Sequence, residues 1–410
     1  LNGPLSLRAN FTWAFWGNAI YSVSQWAILA ALAKLGTPEM VGMFSLATAI
    51  CTPIIMLTNM QLRIVLVTDA ESQFCFGHYL SLRLTTTLVA LATTSVISLS
   101  TGYDRQMAFV ILIMGLAKSF DAISDIFHGL LQKHERMDYI AISKTIKGIL
   151  SLLALSMLIW ITKNIIWGLL GLTLIWLVIL LAYDLPIAYS LLPFRVRANK
   201  DIWWRLLHLA FPLGIVMMLL SLKTSIPRYF IEHYLGREQL GYYSAMAYLV
   251  VAGNILVRAL GQSAMPRLAR HFAFGERQDF TKLLLQLIAV GTTLGLLSVF
   301  GVILFGPHIL TILYRPDYAQ YADILAWIML AGAIGYLASF LGYGMSAMRQ
   351  FRIQVLLFTA VVITTAATCY FLVKPLGLLG AAIAVMAGAG VNLLGALIIV
   401  IHAWAKQSPA

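Results

Sequence analysis

Apolar residues in this chain run in blocks rather than in stripes. About 12 blocks of bilayer-spanning length can be read, at about 11–35, 39–60, 79–100, 106–129, 140–162, 164–185, 204–226, 239–262, 282–306, 322–346, 352–373 and 377–402. At 1.5 Å rise per residue each is long enough to cross a hydrocarbon layer of roughly 30 Å. An open strand cannot satisfy its own backbone in lipid, so the blocks predict helices. The expected fold is all-α and integral to the membrane, with 12 transmembrane helices and both termini cytoplasmic. Spans 5 and 6 are divided only by Lys163-Asn164. Pro227 has no N–H to donate, so span 7 is expected to end or kink there. The first block is too long for the apolar core of a signal peptide and reads as a retained span.

The pattern repeats. Leu35-Gly36 followed by Gly42-Met43-Phe44-Ser45 returns as Leu235-Gly236 followed by Gly241-Tyr242-Tyr243-Ser244. Gly168-Leu169-Leu170-Gly171 returns as Gly377-Leu378-Leu379-Gly380, at the same place before spans 6 and 12. Two six-helix lobes of equal orientation follow from this, a parallel repeat about an axis along the membrane normal. The expected division is an N-terminal lobe over 1–192, a basic cytoplasmic linker over 193–205 and a C-terminal lobe over 206–410.

Composition agrees with the blocks. Of 410 residues, 60% are hydrophobic and 11% charged, with a mean hydropathy of +0.87. A soluble domain carries about 25% charged residues, so a soluble, disordered or disulfide-built protein is excluded. The net charge of +12 does not call for nucleic acid. Alternate loops and adjacent helix ends divide the 28 Lys and Arg into 19 on one side and 7 on the other, with Lys118 and Lys223 inside spans. That is the cytoplasmic excess of basic residues that orients membrane proteins. The set of 19 includes Arg63, Arg83, Lys144, Lys147 and Lys406. Three cysteines without a CxxC pair form neither a metal nor a dithiol site.

Ionisable residues at membrane depth are the candidate chemistry, because each costs several kcal/mol on insertion scales unless paired or hydrated. Span 4 carries Lys118, Asp121, Asp125, His128 and Gln132. At 100° per residue they share one arc of about 80°. Either Lys118 pairs with Asp121 within the helix, or the stripe lines a hydrated cavity in which Asp121 or Asp125 could take up a coupling proton or sodium ion. Lys223 and Arg228 flank Pro227 and could form an anion site or reach to outer headgroups. Asn18, Tyr21 and Gln25 on span 1, among tryptophans, suit either sugar contact or helix–helix hydrogen bonds.

Several activities lack their residues. No GxxxxGK[ST] loop and no HExxH motif occurs. The outer loops are too short for a catalytic domain. No cofactor is implied, and an enzyme is not expected.

Gln61-Leu62-Arg63, Thr68-Asp69-Ala70 and Phe76-Gly77-His78-Tyr79-Leu80 resemble the segment after span 2 of bacterial polysaccharide flippases. Ser124-Asp125-Ile126 with Gly129, Gln132 and Glu135-Arg136-Met137-Asp138 resembles their span 4 exit. Ile226-Pro227-Arg228-Tyr229-Phe230-Ile231, Leu260-Gly261-Gln262-Ser263, Pro266-Arg267-Leu268-Ala269 and Gly335-Tyr336-Leu337-Ala338-Ser339-Phe340 continue the match in order. The family is that of O-antigen and capsule flippases, within the multidrug/oligosaccharidyl-lipid/polysaccharide exporter superfamily. The resemblance implies a two-lobed transporter of the bacterial inner membrane. Its implied substrate is a polyprenyl-pyrophosphate-linked oligosaccharide, with glycosyltransferases and a polymerase of the same glycan pathway as partners. A cation-coupled multidrug exporter of the superfamily, a facilitator-type transporter, and a non-transport protein that is a membrane-bound enzyme or assembly subunit of a glycan pathway are the alternatives.

Overall fold

The computed structural model describes residues 5–69 and 73–405. Ala70 of the second resemblance segment and Lys406 of the charge count lie outside the described residues. The elements are α1 (Leu7–Leu35), α2 (Pro38–Asn59), α3 (Leu62–Thr68), α4 (Phe76–Ser100), α5 (Arg105–Lys133), α6 (Met137–Thr162), α7 (Ile165–Ile179), a π-turn (Leu180–Asp184), α8 (Leu185–Leu191), α9 (Lys200–Ala273), α10 (Arg277–Leu313), a 3₁₀ turn (Pro316–Tyr321), α11 (Ala322–Ala347) and α12 (Phe351–Ala405). No strand occurs among the described residues. Nine helices in them are long and apolar enough to cross a membrane, and α1, with 29 residues, is long enough but too polar to be counted with them.

Two of the nine exceed any single span. Helix α9 has 74 residues and α12 has 55. Each leaves helical geometry once, at a glycine: Gly236 with φ 85° and Gly377 with φ 61°. Glycine takes positive φ without a Cβ clash. Both belong to the repeated Leu-Gly and Gly-Leu-Leu-Gly segments. Helix α9 does not end at Pro227: helical geometry runs through it, and the interruption comes nine residues later. Membrane helices tolerate an internal proline where neighbouring groups satisfy the freed carbonyl.

The chain divides into two compact units, Leu1–Ser221 and Leu222–Ala410. In the first, α5 is the hub, packing against α2, α3, α4, α6, α7 and α8. Helices α1 and α6 cross closely through small residues. A Cβ on Gly17 would come within 2.6 Å of Ala141, and one on Gly148 within 2.9 Å of Ser24. Gly17 and Ser24 are seven apart on α1, as Ala141 and Gly148 are on α6, so the two helices run in the same direction. Odd-numbered spans of an alternating bundle do so.

The basic segment after α8 is held in place rather than free. Arg197 donates its backbone N–H to the Gly77 carbonyl at 3.2 Å, and its own carbonyl accepts from the Ser81 hydroxyl at 2.7 Å. Phe194 packs among Phe76, Phe127 and Tyr189. Gly77 admits this strap because a side chain there would collide with the Arg195 carbonyl. In the second unit, α11 packs against α10 and α12. Its apolar core gathers Val257, Leu268, Phe280, Leu284, Phe340 and Val361.

Filling the α1–α6 crossing should separate the helices. Gly148→Leu overpacks a contact already at van der Waals limit, which costs about 1–3 kcal/mol. The thermal midpoint of the detergent-solubilised protein is expected to fall, and Gly301→Leu, where a Cβ meets nothing within 4 Å, should leave it unchanged.

Candidate functional site

The polar arc of α5 meets polar residues from four other segments inside the first unit, and Met217 of α9 beside them. They enclose a cavity of about 260 Å³ lined by Lys118, Asp121, Asp125 and His128 of α5, Lys144 and Lys147 of α6, Tyr21 of α1, Thr52 and Asn59 of α2, the turn residue Gln61 and Met217 of α9. Periodicity explains the α5 contribution: residues at i, i+3, i+7 and i+10 recur on one helix face.

A backbone device supplies another part. Helix α2 ends at Asn59, and Met60 and Gln61 both take left-handed geometry, φ 49° and 52°. Such residues cost roughly 1–2 kcal/mol each when they are not glycine. The turn starts α3 at an angle that carries Arg63 back to α5. Arg63 donates to Gln132 Oε1 at 2.9 Å and to Asp125 Oδ1 at 3.1 Å. The other Asp125 oxygen lies 3.6 Å from Arg83 Nη2. Arg83 is wholly buried and also donates to the Asn59 side chain. One half-exposed carboxylate thus holds two guanidinium groups.

Asp121 pairs with Lys147 Nζ of α6 at 3.2 Å, not with Lys118 of its own helix. Lys118 instead stands 5.5 Å from the Trp176 ring centroid, with Lys147 at 5.7 Å from the same ring. Trp176 is fixed by its indole N–H, which donates to Ser151 at 2.8 Å. Lys144 donates to the neutral Asn18 oxygen at 2.8 Å, a contact set up by the close α1–α6 crossing. Below them, His128 Nε2 lies 3.3 Å from both Asp184 Oδ1 and Ser143 Oγ. Asp184 is fully buried and closes the π-turn. A π-turn widens one helical turn, and such turns recur at functional sites.

The cluster therefore holds Arg63, Arg83, Lys118, Lys144 and Lys147 against Asp121, Asp125 and Asp184, five cations to three carboxylates. Among the described residues, Lys118 and Lys144 pair with no carboxylate. A lysine at the centre of a membrane helix costs about 2.5–3.5 kcal/mol on insertion scales. Lys118, near the middle of α5, retains that cost, and an anion entering the cavity would offset it.

Of the residues singled out in the sequence, Lys118, Asp121, Asp125, His128 and Tyr21 line the cavity, while Gln132 and Asn18 bond to its cations. Gln25 does not line it, and its Nε2 is buried without a hydrogen-bond partner. Lys223 and Arg228 belong to the other unit; Arg228 stands over the Tyr248 ring at 5.9 Å. Sequence reasoning placed Arg63, Arg83, Lys144 and Lys147 with the cytoplasmic loops. Arg83 and Lys147 are 0% and 1% exposed, inside α4 and α6. Arg83 and Lys147 stand seven and ten residues into their helices, in the half of each span next to a cytoplasmic loop, where a basic residue reads as topology. Asp184 was also missed, although an acid within the apolar run of span 6 was a visible signal.

Residues 7–272 match the family model described as "Polysaccharide biosynthesis protein". The capsular polysaccharide biosynthesis protein CapF of Staphylococcus aureus is 26% identical over 389 residues, covering 92% of this chain and 94% of that protein. The chain is similar to the solved structure of the lipid II flippase MurJ in an inward closed conformation (TM-score 0.77, 13% identity, 95% of this chain and 88% of that one). It is also similar to an inward-facing multidrug resistance MATE family transporter of the MOP superfamily (TM-score 0.76, 12% identity, 97% and 100%). At these identities the structures establish the fold: a multi-pass membrane protein built like the transporters of that superfamily.

Asp125→Asn leaves the buried Arg83 and Arg63 without their shared counter-charge. The expected loss of stability is on the order of 3 kcal/mol, read as a lowered thermal midpoint. Lys118→Met removes no ion pair and should leave the midpoint near wild type. An equal drop in both variants would contradict the charge assignment.

Proposed function

The chain belongs to the polysaccharide biosynthesis protein family, and on that premise we propose that it is a flippase for a polyprenyl-pyrophosphate-linked oligosaccharide. It moves a lipopolysaccharide or capsule repeat unit from the inner to the outer leaflet of the bacterial inner membrane by alternating access. The observation that supports this reading is the excess of cations in the cavity. A pyrophosphate diester is an anion that Lys118 and Lys144 can receive without first breaking an ion pair. The sugar head needs a hydrated route across about 30 Å of hydrocarbon, while its polyprenyl tail stays in lipid. Tyr21 and the Asn18–Lys144 pair offer ring and hydrogen-bonding contact to sugars. Asp121 and Asp125 are the candidate sites for a coupling proton or sodium ion, and both are held by cations. A cation-coupled drug exporter would share the fold, but this cavity repels a cationic drug. Glycosyltransferases and the polymerase of the same pathway are the expected partners.

The test is a strain depleted of the protein with its glycosyltransferases intact. Completed lipid-linked repeat units should accumulate on the cytoplasmic face, protected from an impermeant glycosidase, and re-expression should release them. A Lys118→Met/Lys144→Met variant should insert normally yet lower outer-leaflet substrate by roughly tenfold or more, the consequence of losing about 1.4 kcal/mol of binding. Unchanged sidedness on depletion, with altered survival against cationic compounds, would favour the exporter.

We further propose 12 spans, obtained by dividing α9 at Gly236 and α12 at Gly377 and counting α1. Reporter fusions at the C-terminus and after Thr101 should then report opposite sides. A common side for both would refute the alternation.

A further inference from the structure

A second cavity lies in the C-terminal unit and shares no residue with the α5 cluster. It is an open groove of about 730 Å³ along one face of α10, closed at its charged end by Trp404 of α12. The face is built from residues 278, 281, 282, 285, 286 and 289, which recur every three or four positions. Its character changes along its length. Arg277, Thr281 and Lys282 stand at the start of the helix, and Leu285 and Ala289 stand one to two turns deeper. The Arg277 guanidinium lies 5.0 Å from the Trp404 ring centroid. Neither Arg277 nor Lys282 pairs with a carboxylate among the described residues, although Glu276 and Asp279 are close in sequence; Glu276 contacts His271 instead. Leu285 is 58% exposed and Ala289 is open beside it, with Gln286 the one polar side chain lining that deeper part of the face.

We propose that this groove binds an anionic phospholipid, its phosphodiester between Arg277 and Lys282 and one acyl chain along Leu285 and Ala289. Three features select that occupant. Both cations line the same end of the groove, and neither forms an ion pair among the described residues, so both can turn to a phosphodiester. They stand where α10 enters its apolar run, at headgroup depth, and Trp404 has the amphipathic ring that favours this interface. The cations give way to apolar surface over about 10 Å, the rise of seven helical residues, which is the order of charges in a phospholipid. Basic sites between membrane helices recognise acidic headgroups by this chemistry. A soluble phosphate compound would match the cations but leave the apolar half of the groove unused.

The experiment reconstitutes the full chain in nanodiscs of phosphatidylcholine. They are doped with a small fraction of phosphatidylglycerol or phosphatidylcholine brominated near the top of one acyl chain. Bromine quenches tryptophan on contact, and the difference between wild type and Trp404→Phe isolates the Trp404 signal. That signal is expected to be quenched several-fold more by the brominated phosphatidylglycerol, and Arg277→Gln/Lys282→Gln should abolish the preference. Arg277→Lys/Lys282→Arg, which keeps the charge, should retain it and shows that the substituted protein is intact. Equal quenching by the two lipids, or a preference that survives the glutamine variant, overturns the proposal. So does loss of the preference on adding inorganic phosphate at physiological ionic strength, which would make the site one for soluble anions.

Discussion

A charge inside a helix that crosses hydrocarbon must find a counter-charge, a polar cavity or a way out to the interface. The first unit of this protein is organised by that constraint. Helix α5 carries two carboxylates, a lysine and a histidine on a single face. Four segments around it answer them: α3 with Arg63, α4 with Arg83, α6 with Lys144 and Lys147, and the π-turn with Asp184. The hub position of α5 and the convergence of charge are one fact seen twice. Packing α5 anywhere else would strand its polar face in lipid.

The answer is left incomplete by the residues themselves. Asp125 is shared by two arginines, Asp121 is held by one lysine, and two further lysines have only neutral or aromatic partners. A structure selected for stability alone would be served better by apolar residues of the same size, since buried ion pairs seldom add net stability. The retained positive excess is what the proposed anionic cargo would meet. Local geometry supports the same purpose. Two left-handed residues between α2 and α3, and a widened turn before α8, bend the chain where a straight helix would have carried Arg63 and Asp184 elsewhere.

Much of this is legible in the amino-acid sequence. Block length and hydropathy require membrane helices, because nothing else satisfies backbone in lipid. The five-residue arc on α5 can be read from spacing, since helical periodicity needs no partner. The glycine breaks at 236 and 377 are visible as repeated turn segments. What misleads is assigning a basic residue in the cytoplasmic half of a span to the loop beside it. Lys147 reads as a cytoplasmic anchor because sequence gives depth along one helix but not what stands beside it. Pro227 reads as a helix end or kink because the missing N–H is local, whereas whether the helix continues past it depends on neighbours.

The division follows from the range of the forces. Sequence alone determined what is set within a segment: helix, length, which face is polar, and a chain that belongs in a membrane. Only the tertiary structure decided what depends on two segments meeting: that Asp121 takes Lys147 rather than Lys118, that Arg83 and Arg63 share one carboxylate, and that Lys118 and Lys144 form no ion pair among the described residues. Ion pairing acts over a few ångströms in space and is indifferent to separation along the chain.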